Sequence, residues 1–116
     1  DPKDAKDFDD ALSFQVLDTV EISKDNQVAT LDFDTLQFPL VIRRWKRGDV
    51  FYPYGMKGKK RVSDFFINQK LSISDKEKTW LLCSNDIIVW IIGHRVDRRF
   101  QVTEKTKRVY KILHKT

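Results

Sequence analysis

Two apolar segments near the middle of the chain are joined by only two residues. They read WLLCS at 80–84 and IIVWIIG at 87–93, with Asn85 and Asp86 between them. This pattern predicts an antiparallel hairpin, because Asn and Asp tolerate the backbone of a two-residue turn. The second arm is apolar at every position instead of every other one, which is typical of a strand buried on both faces. The rest of the chain is therefore expected to cover this strand from both sides.

The flanking segments predict further strands. Residues 14–22 and 28–33 are rich in alternating apolar positions, and we expect them to pair with KDNQ as the turn between them. Residues 38–45 read as a strand opened by Pro39. Residues 99–112 are expected to form one more strand, interrupted by a turn at TEKTK.

Two short helices are also predicted. Val62, Phe65 and Phe66 fall at i, i+3 and i+4, which places one apolar face on a helix in RVSDFFINQK. Ser74 and Glu77 have the spacing of a capping box, which indicates a second helix start. The predicted fold is therefore α+β, a mostly antiparallel β-sheet or sandwich that carries two short helices.

Charge is divided unevenly along the 116 residues, which suffice for one domain. Residues 1–38 contain 3 Lys and Arg against 10 Asp and Glu, whereas residues 39–116 contain 19 against 7. The basic part is expected to meet a polyanion, with nucleic acid the first candidate and an anionic membrane surface the second. No apolar run approaches the roughly 20 residues that span a bilayer. We predict a cytoplasmic location and no membrane partner. Because the chain begins with Asp, we also expect it to be a piece of a longer protein.

The segment from 43 to 61 carries the strongest binding signal. Its basic residues, predicted to contact phosphate groups, are Arg43, Arg44, Lys46, Arg47, Lys57, Lys59, Lys60 and Arg61. Aromatic side chains that can pack on sugars or bases lie among them, at Trp45, Phe51, Tyr52 and Tyr54. The residues predicted to shape the loop are Gly48, Pro53, Gly55 and Gly58. The alternative is a solvated face of lysines over a core of aromatic residues.

A second basic group occurs in GHRVDRRF. If residues 95–100 are extended, Arg95 and Arg99 share one face and Arg98 points to the other. Arg95 and Arg99 join the predicted RNA-binding set. The alternative is that Asp97 and its arginine neighbours form surface ion pairs of little energetic value.

No catalytic residue is predicted. His94 and His114 are separated in the sequence and have no Cys, Asp or Glu at ligand spacing. Cys83, the one cysteine, lies in an apolar run and is expected to be buried. GMKGKK lacks the residue order of a P-loop, so nucleotide hydrolysis is unsupported and no cofactor is predicted for the chain itself.

The basic loop and the hairpin together resemble a known family. Residues from about 22 to 112 are similar to the C-terminal domain of bacterial tRNA(Ile)-lysidine synthetases. The residues that match the family pattern are Arg44, Trp45, Gly48, Asp49, Phe51, Pro53, Gly55, Met56, Gly58, Lys59, Lys60, Asp64, Phe65 and Phe66. The resemblance implies a compact α+β domain, related to one in the phenylalanyl-tRNA synthetase β-subunit.

The same resemblance implies a function. In this family the enzyme uses ATP and Mg²⁺ to convert the wobble cytidine of tRNA(Ile) to lysidine, and an S-G-G-x-D-S loop in another domain does the chemistry. That loop does not occur in this sequence. The chain is then expected to be a tRNA-binding clamp for the acceptor stem. The longer protein of which this chain would be a part is called the parent enzyme below. The partners of the chain would be tRNA(Ile) and the remaining domains of the parent enzyme.

The first residues carry a different resemblance. Four aspartates with the spacing D-x5-D-x-D-D are weak metal-ligand candidates: Asp1, Asp7, Asp9 and Asp10. This stretch is similar to the metal-binding motif of the ribonuclease II and ribonuclease R family, but the H-I-A-D-V segment that follows in that family is missing. We expect residues 1–17 to be an acidic segment without a metal site and residues 18–116 to be the tRNA-binding domain.

Two alternative functions stay open from the sequence. The chain could be a fragment of a Mg²⁺-dependent 3′-to-5′ exoribonuclease, in which case these aspartates would hold the metal. It could also be a structural module that forms a homodimer through the apolar hairpin. The sequence does not say how an acidic segment and a basic domain came to be joined.

Overall fold

The computed structural model describes residues 10–115. Its strands are β1 Leu12–Leu17, β2 Val28–Asp32, β3 Leu40–Arg44, β4 Val50–Phe51, β5 Lys60–Arg61, β6 Trp80–Ser84, β7 Ile87–Ile91, β8 Arg95–Val96 and β9 Val109–His114. Its helices are α1 Val62–Asn68 and α2 Ile73–Lys78, with 3₁₀ turns at Phe33–Thr35 and Arg98–Phe100. The predicted α+β class with two short helices is confirmed.

All strand pairs are antiparallel, and they form three sheets in the described part of the chain. The first has the order β1-β9-β2, the second β3-β6-β7-β8 and the third pairs β4 with β5. The central pair β6–β7 is the predicted hairpin. Asn85 and Asp86 have φ angles of 50° and 66°, which give the turn a twist that suits the strands it joins. A bulge between Leu82 and Cys83 shifts the register of the pair.

The hairpin separates two hydrophobic clusters. Trp90 and Leu82 pack towards the first sheet, where Ile112 is also buried. Leu81 and Ile91 pack on the other side, against the aromatic residues of α1. Burial of β7 on both faces is thus confirmed. The chain's own layers bury most of the hairpin, which leaves little of its apolar surface for the alternative of a homodimer interface.

The pairing predicted for the first two strands is also wrong. β1 and β2 do not pair with each other, because β9 lies between them and bonds to both. β1 ends at Leu17, and residues 18–27 form an irregular connection instead of a tight hairpin turn. The connection is long enough to carry the chain across β9. Strand order here depends on a segment almost 100 residues away, which local pattern does not reveal.

The predicted helix in RVSDFFINQK is confirmed as α1, with Val62, Phe65 and Phe66 buried. α2 also exists, but its capping box is not the predicted one. Ser72 is the N-cap: its hydroxyl accepts from the Asp75 N–H at 3.0 Å, and the Asp75 carboxylate accepts from the Ser72 N–H at 3.3 Å. Two S-x-x-acid motifs overlap here, and the earlier one starts the helix.

The tail differs from the single interrupted strand that was predicted. Residues 98–100 form a 3₁₀ turn, Gln101 makes an isolated bridge to Leu31, and the strand proper begins at Val109. The cause is Asp97, whose carboxylate accepts from the Arg99 N–H and so stabilises a turn in place of a strand. No helix in residues 10–115 is long and apolar enough to cross a membrane.

Candidate nucleic-acid interface

The basic loop is tied down by the carboxylate of Asp49. Both terminal nitrogens of the Arg43 guanidinium donate to it at 2.9 Å, and the Lys46 N–H donates at 2.7 Å. Burial disfavours the charge of Asp49, but these hydrogen bonds outweigh it and lower the pKa of the carboxyl below its ordinary value. The Asp49 carbonyl also accepts from the Val62 N–H, which joins the loop to the start of α1. Arg43 is therefore held in place by a paired carboxylate.

A second carboxylate anchors the other basic group. Asp97 is 0% exposed and accepts from the Tyr52 N–H at 2.9 Å and the Arg99 N–H at 2.8 Å. The Arg99 guanidinium adds two more hydrogen bonds, from Nε at 3.0 Å and Nη2 at 2.9 Å. It also lies 4.4 Å from the centre of the Tyr52 ring. The alternative of weak surface ion pairs is wrong for Asp97, because its side chain is completely buried.

Three predicted cations meet in one cleft. Arg43, Lys59 and Arg99 come from three separate segments and line a space of about 350 Å³. Two acidic residues, Asp49 and Asp86, line the same space. The two arginines are fixed by their carboxylates, whereas Lys59 is exposed. A planar guanidinium held in one orientation suits the oxygen atoms of a phosphate group. The structure thus brings the two basic groups of the sequence together, which the spacing alone did not show.

The other predicted cations do not line this cleft, and their side chains differ in exposure and contacts. Arg44 stacks on Trp80, with its guanidinium carbon 3.6 Å from the ring centre. Arg61 is exposed and lies 3.9 Å from Asp64, and Lys60 is half-buried in β5. Lys46, Arg47 and Lys57 are exposed.

Arg95 lies apart from the cleft. It donates to the carbonyl of Tyr54 at 3.0 Å and lines a different cavity. Because residues 98–100 turn, Arg95 and Arg99 do not share a strand face, and that prediction is wrong. Arg98, which was assigned to the opposite face, lies 5.3 Å from the centre of the Tyr52 ring, beside Arg99. The sequence R-V-D-R-R contained a signal for this arrangement, because an aspartate between arginines can form an ion pair with one of them.

Packing fixes the loop to the body of the domain. Trp45 meets Phe66 edge-on at 5.3 Å between ring centres, and Phe51 meets Phe65 at the same distance. Pro53 is buried and bridges to Asp97. The predicted loop glycines Gly48, Gly55 and Gly58 have φ angles of 96°, 81° and 70°. A Cβ at any of them would meet nothing within 4 Å, so backbone conformation, not space, favours glycine there.

The end of the acidic segment that the structure describes supplies β1, and Leu12 in this strand is buried in the core. Asp1, Asp7 and Asp9 lie outside the described residues, and Asp10 is exposed in a turn. Within residues 10–115 no three His, Cys, Asp or Glu side chains are grouped so as to hold a metal ion. The nuclease alternative depends on Asp1, Asp7 and Asp9, which lie outside the described residues, whereas residues 12–17 of the predicted acidic segment form β1.

The two histidines, distant in sequence, line the same shallow cleft beside α2. His114 Nδ1 is 2.7 Å from Gln27 Oε1. Burial lowers the pKa of both His94 and His114 below the ordinary value for histidine. Cys83 is buried as predicted, and burial raises the pKa of its thiol.

Fold and site together define a small antiparallel α+β domain with a basic, aromatic-lined surface. Residues 40–113 match the family described as the TilS substrate C-terminal domain. The chain belongs to this family, and the predicted resemblance is confirmed.

Among its relatives, the tRNA(Ile)-lysidine synthase of Parabacteroides distasonis is 54% identical over 101 residues, which cover 84% of this chain and 23% of the relative. That of Bacteroides thetaiotaomicron is 46% identical over 94 residues, covering 79% and 22%. The enzyme of Clostridium perfringens is 38% identical over 95 residues, covering 82% and 20%. The matched part of the chain spans less than a quarter of the length of these relatives.

Two solved structures have the same fold. A crystal structure of a TilS C-terminal domain has a TM-score of 0.76 at 18% identity and covers 88% of this chain and 80% of that one. An N-terminal fragment of the phenylalanyl-tRNA synthetase β-subunit from Pyrococcus horikoshii has a TM-score of 0.72 at 16% identity, covering 95% and 40%. The predicted relation between these two domain types is confirmed at the level of fold.

Proposed function

We propose that this chain is the tRNA-binding domain of a tRNA(Ile)-lysidine synthase, and that it holds the acceptor stem of tRNA(Ile). The observation that carries the proposal is the cleft in which Arg43, Lys59 and Arg99 converge, with both arginines fixed by buried carboxylates. Membership of a family whose relatives are named for this tRNA modification supports the choice of RNA.

The chemistry of the surface suits a duplex RNA. An A-form helix hides its base edges in a deep, narrow groove, so proteins recognise it mainly by shape and by contacts to phosphate and sugar. Cations fixed on a rigid scaffold suit that task, and the exposed lysines around them add attraction over a longer range. The RNA-contacting set in this proposal remains Arg43, Arg44, Lys46, Arg47, Lys57, Lys59, Lys60, Arg61, Arg95 and Arg99.

The rest of the parent enzyme is part of the proposal. Activation of the wobble cytidine with ATP and Mg²⁺ would take place in another domain, so this chain binds substrate without catalysing the reaction. Its partners would be tRNA(Ile) and that domain, in the cytoplasm. We place the boundary of the RNA-binding domain at residue 18, although β1, Leu12–Leu17, is hydrogen-bonded to β9.

Binding of a tRNA(Ile) transcript, followed by fluorescence anisotropy, tests this proposal. Replacing Lys59, Lys60 and Arg61 with Gln removes three cations, each worth about 0.5–1 kcal/mol in a partly screened contact. Affinity should then fall roughly 10- to 100-fold.

A matched control removes the same charge elsewhere. Lys105, Lys107 and Lys115 are exposed and lie outside the loop, and their replacement with Gln should change affinity by less than about threefold. Equal losses for the two triple variants would show that net charge alone drives binding. Absence of binding by the unmodified chain would reject the proposed function itself.

A further inference from the structure

A cavity separate from the basic cleft lies between β2 with its preceding connection and the β7–β8 turn. Its volume is about 250 Å³, slightly below the roughly 300–1,000 Å³ of pockets that take drug-sized ligands. The cavity is therefore large enough for one ring system and for few additional atoms.

The lining of this cavity combines a flat apolar surface with a few polar groups. Trp90 and Val96 form part of the wall, and Tyr54, 46% exposed, contributes an aromatic side chain. Arg95 lines the same wall and donates to the Tyr54 carbonyl at 3.0 Å, which fixes the guanidinium next to the tyrosine. An accessible aromatic ring beside a fixed cation is the arrangement on which nucleic-acid bases stack.

Two further side chains give the cavity hydrogen-bonding capacity. Gln101 lines it, and Gln101 Oε1 is buried and has no hydrogen-bond partner among the described residues. A base with an exocyclic amine carries the donor that this oxygen lacks. His94 also lines the cavity, and burial lowers the pKa of its imidazole, which favours the neutral form with one donor and one acceptor.

We propose that this cavity binds one unpaired nucleotide of the RNA, in the single strand that continues from the bound stem. The inference rests on the proposed function. Tyr54 lies in the same loop as the phosphate-contacting lysines, and Arg95 belongs to the predicted RNA-binding set, so a strand leaving the basic surface passes close to the cavity. A paired base cannot enter, because its edge and both faces are occupied in the duplex.

Two RNA hairpins with the same stem test the inference, one blunt and one with a short single-stranded 3′ tail. The tailed hairpin should bind about tenfold more tightly, the value of one base stacked on an aromatic side chain. Tyr54→Ala should reduce the ratio of the two affinities to less than about threefold. Phe38→Ala is the matched control, because Phe38 is also an aromatic residue, is 50% exposed and does not line the cavity.

A fluorescent base reports on the site directly. 2-Aminopurine at the tail should lose fluorescence when the chain binds, and Tyr54→Ala should restore it. Equal affinity for both hairpins would overturn the inference while leaving the proposed function intact. Binding of neither hairpin would reject both, and saturation of the cavity by free AMP with no dependence on the tail would overturn the assignment to RNA.

Discussion

Removing the charge of Asp97 should destabilise the domain more than any change at an exposed acidic residue. Asp97→Asn keeps the shape of the side chain but turns one of its two acceptor oxygens into a donor. Each oxygen accepts one backbone N–H and one nitrogen of the Arg99 guanidinium. The variant therefore leaves two donors, one backbone N–H and one guanidinium nitrogen, without an acceptor at a side chain that is 0% exposed. At about 1.5 kcal/mol per donor, the free energy of unfolding should fall by about 3 kcal/mol.

Urea denaturation at neutral pH measures this loss, and thermal melting should show a decrease in Tm of roughly 10 °C. Asp34→Asn is the control, because Asp34 also pairs with an arginine, Arg108, but both side chains are 49% exposed. Such a pair contributes at most about 1 kcal/mol. If Asp97→Asn cost no more than Asp34→Asn, Asp97 would not be the anchor that joins the basic loop to the turn after β8.

Three further predictions concern pH and the hairpin turn. The pKa of Asp49 is lowered, so the stabilisation by its ionised carboxylate is complete above about pH 4 and is lost as the pH falls below that value. Urea titrations of Asp49→Asn should therefore give a lower unfolding free energy at pH 7 and a weaker dependence of that free energy on pH in acid. The pKa of His94 is lowered by burial, so protonation favours the unfolded state and Tm should fall between about pH 7 and 5; His94→Gln should remove part of that fall. Asp86 has a φ of 66°, so Asp86→Gly should raise the unfolding free energy by about 0.5 kcal/mol and Asp86→Val should lower it, both measured by thermal melting.

Local signals account for the elements that the sequence predicted well. The β6–β7 hairpin and α1 each depend on side chains within a few residues of one another. The spacing of their apolar residues fits only one type of secondary structure in each case. α2 shows the limit of such signals, because Ser72 and Ser74 both begin an S-x-x-acid motif and only the structure selects Ser72. Pairing of β1 and β2 was mispredicted for a different reason, since the strand that separates them comes from the far end of the chain.

The candidate site shows the same division. Its composition was visible in the sequence, as cations interleaved with aromatic residues and glycines. The roles of the individual residues were not visible, because they depend on contacts between distant segments. For example, the Asp97 carboxylate accepts from the N–H of Tyr52, 45 positions earlier in the chain. In the sequence, Asp49 only matched the family pattern and Asp97 was a possible partner in surface ion pairs. In the folded domain their carboxylates orient Arg43 and Arg99. No sequence pattern predicts the unpaired Oε1 of Gln101 or the cavity beside it.

The salt dependence of RNA binding tests the central claim most directly. A protein that neutralises phosphates releases counterions, so the logarithm of the binding constant falls linearly with the logarithm of salt concentration. For tRNA(Ile), the variant with Lys59, Lys60 and Arg61 replaced by Gln should show a slope smaller by between about 2 and 3 than the unmodified chain, if an RNA duplex behaves like B-DNA. The control variant at Lys105, Lys107 and Lys115 should keep the original slope. An unchanged slope in the first variant would contradict the assignment of this surface to the RNA backbone.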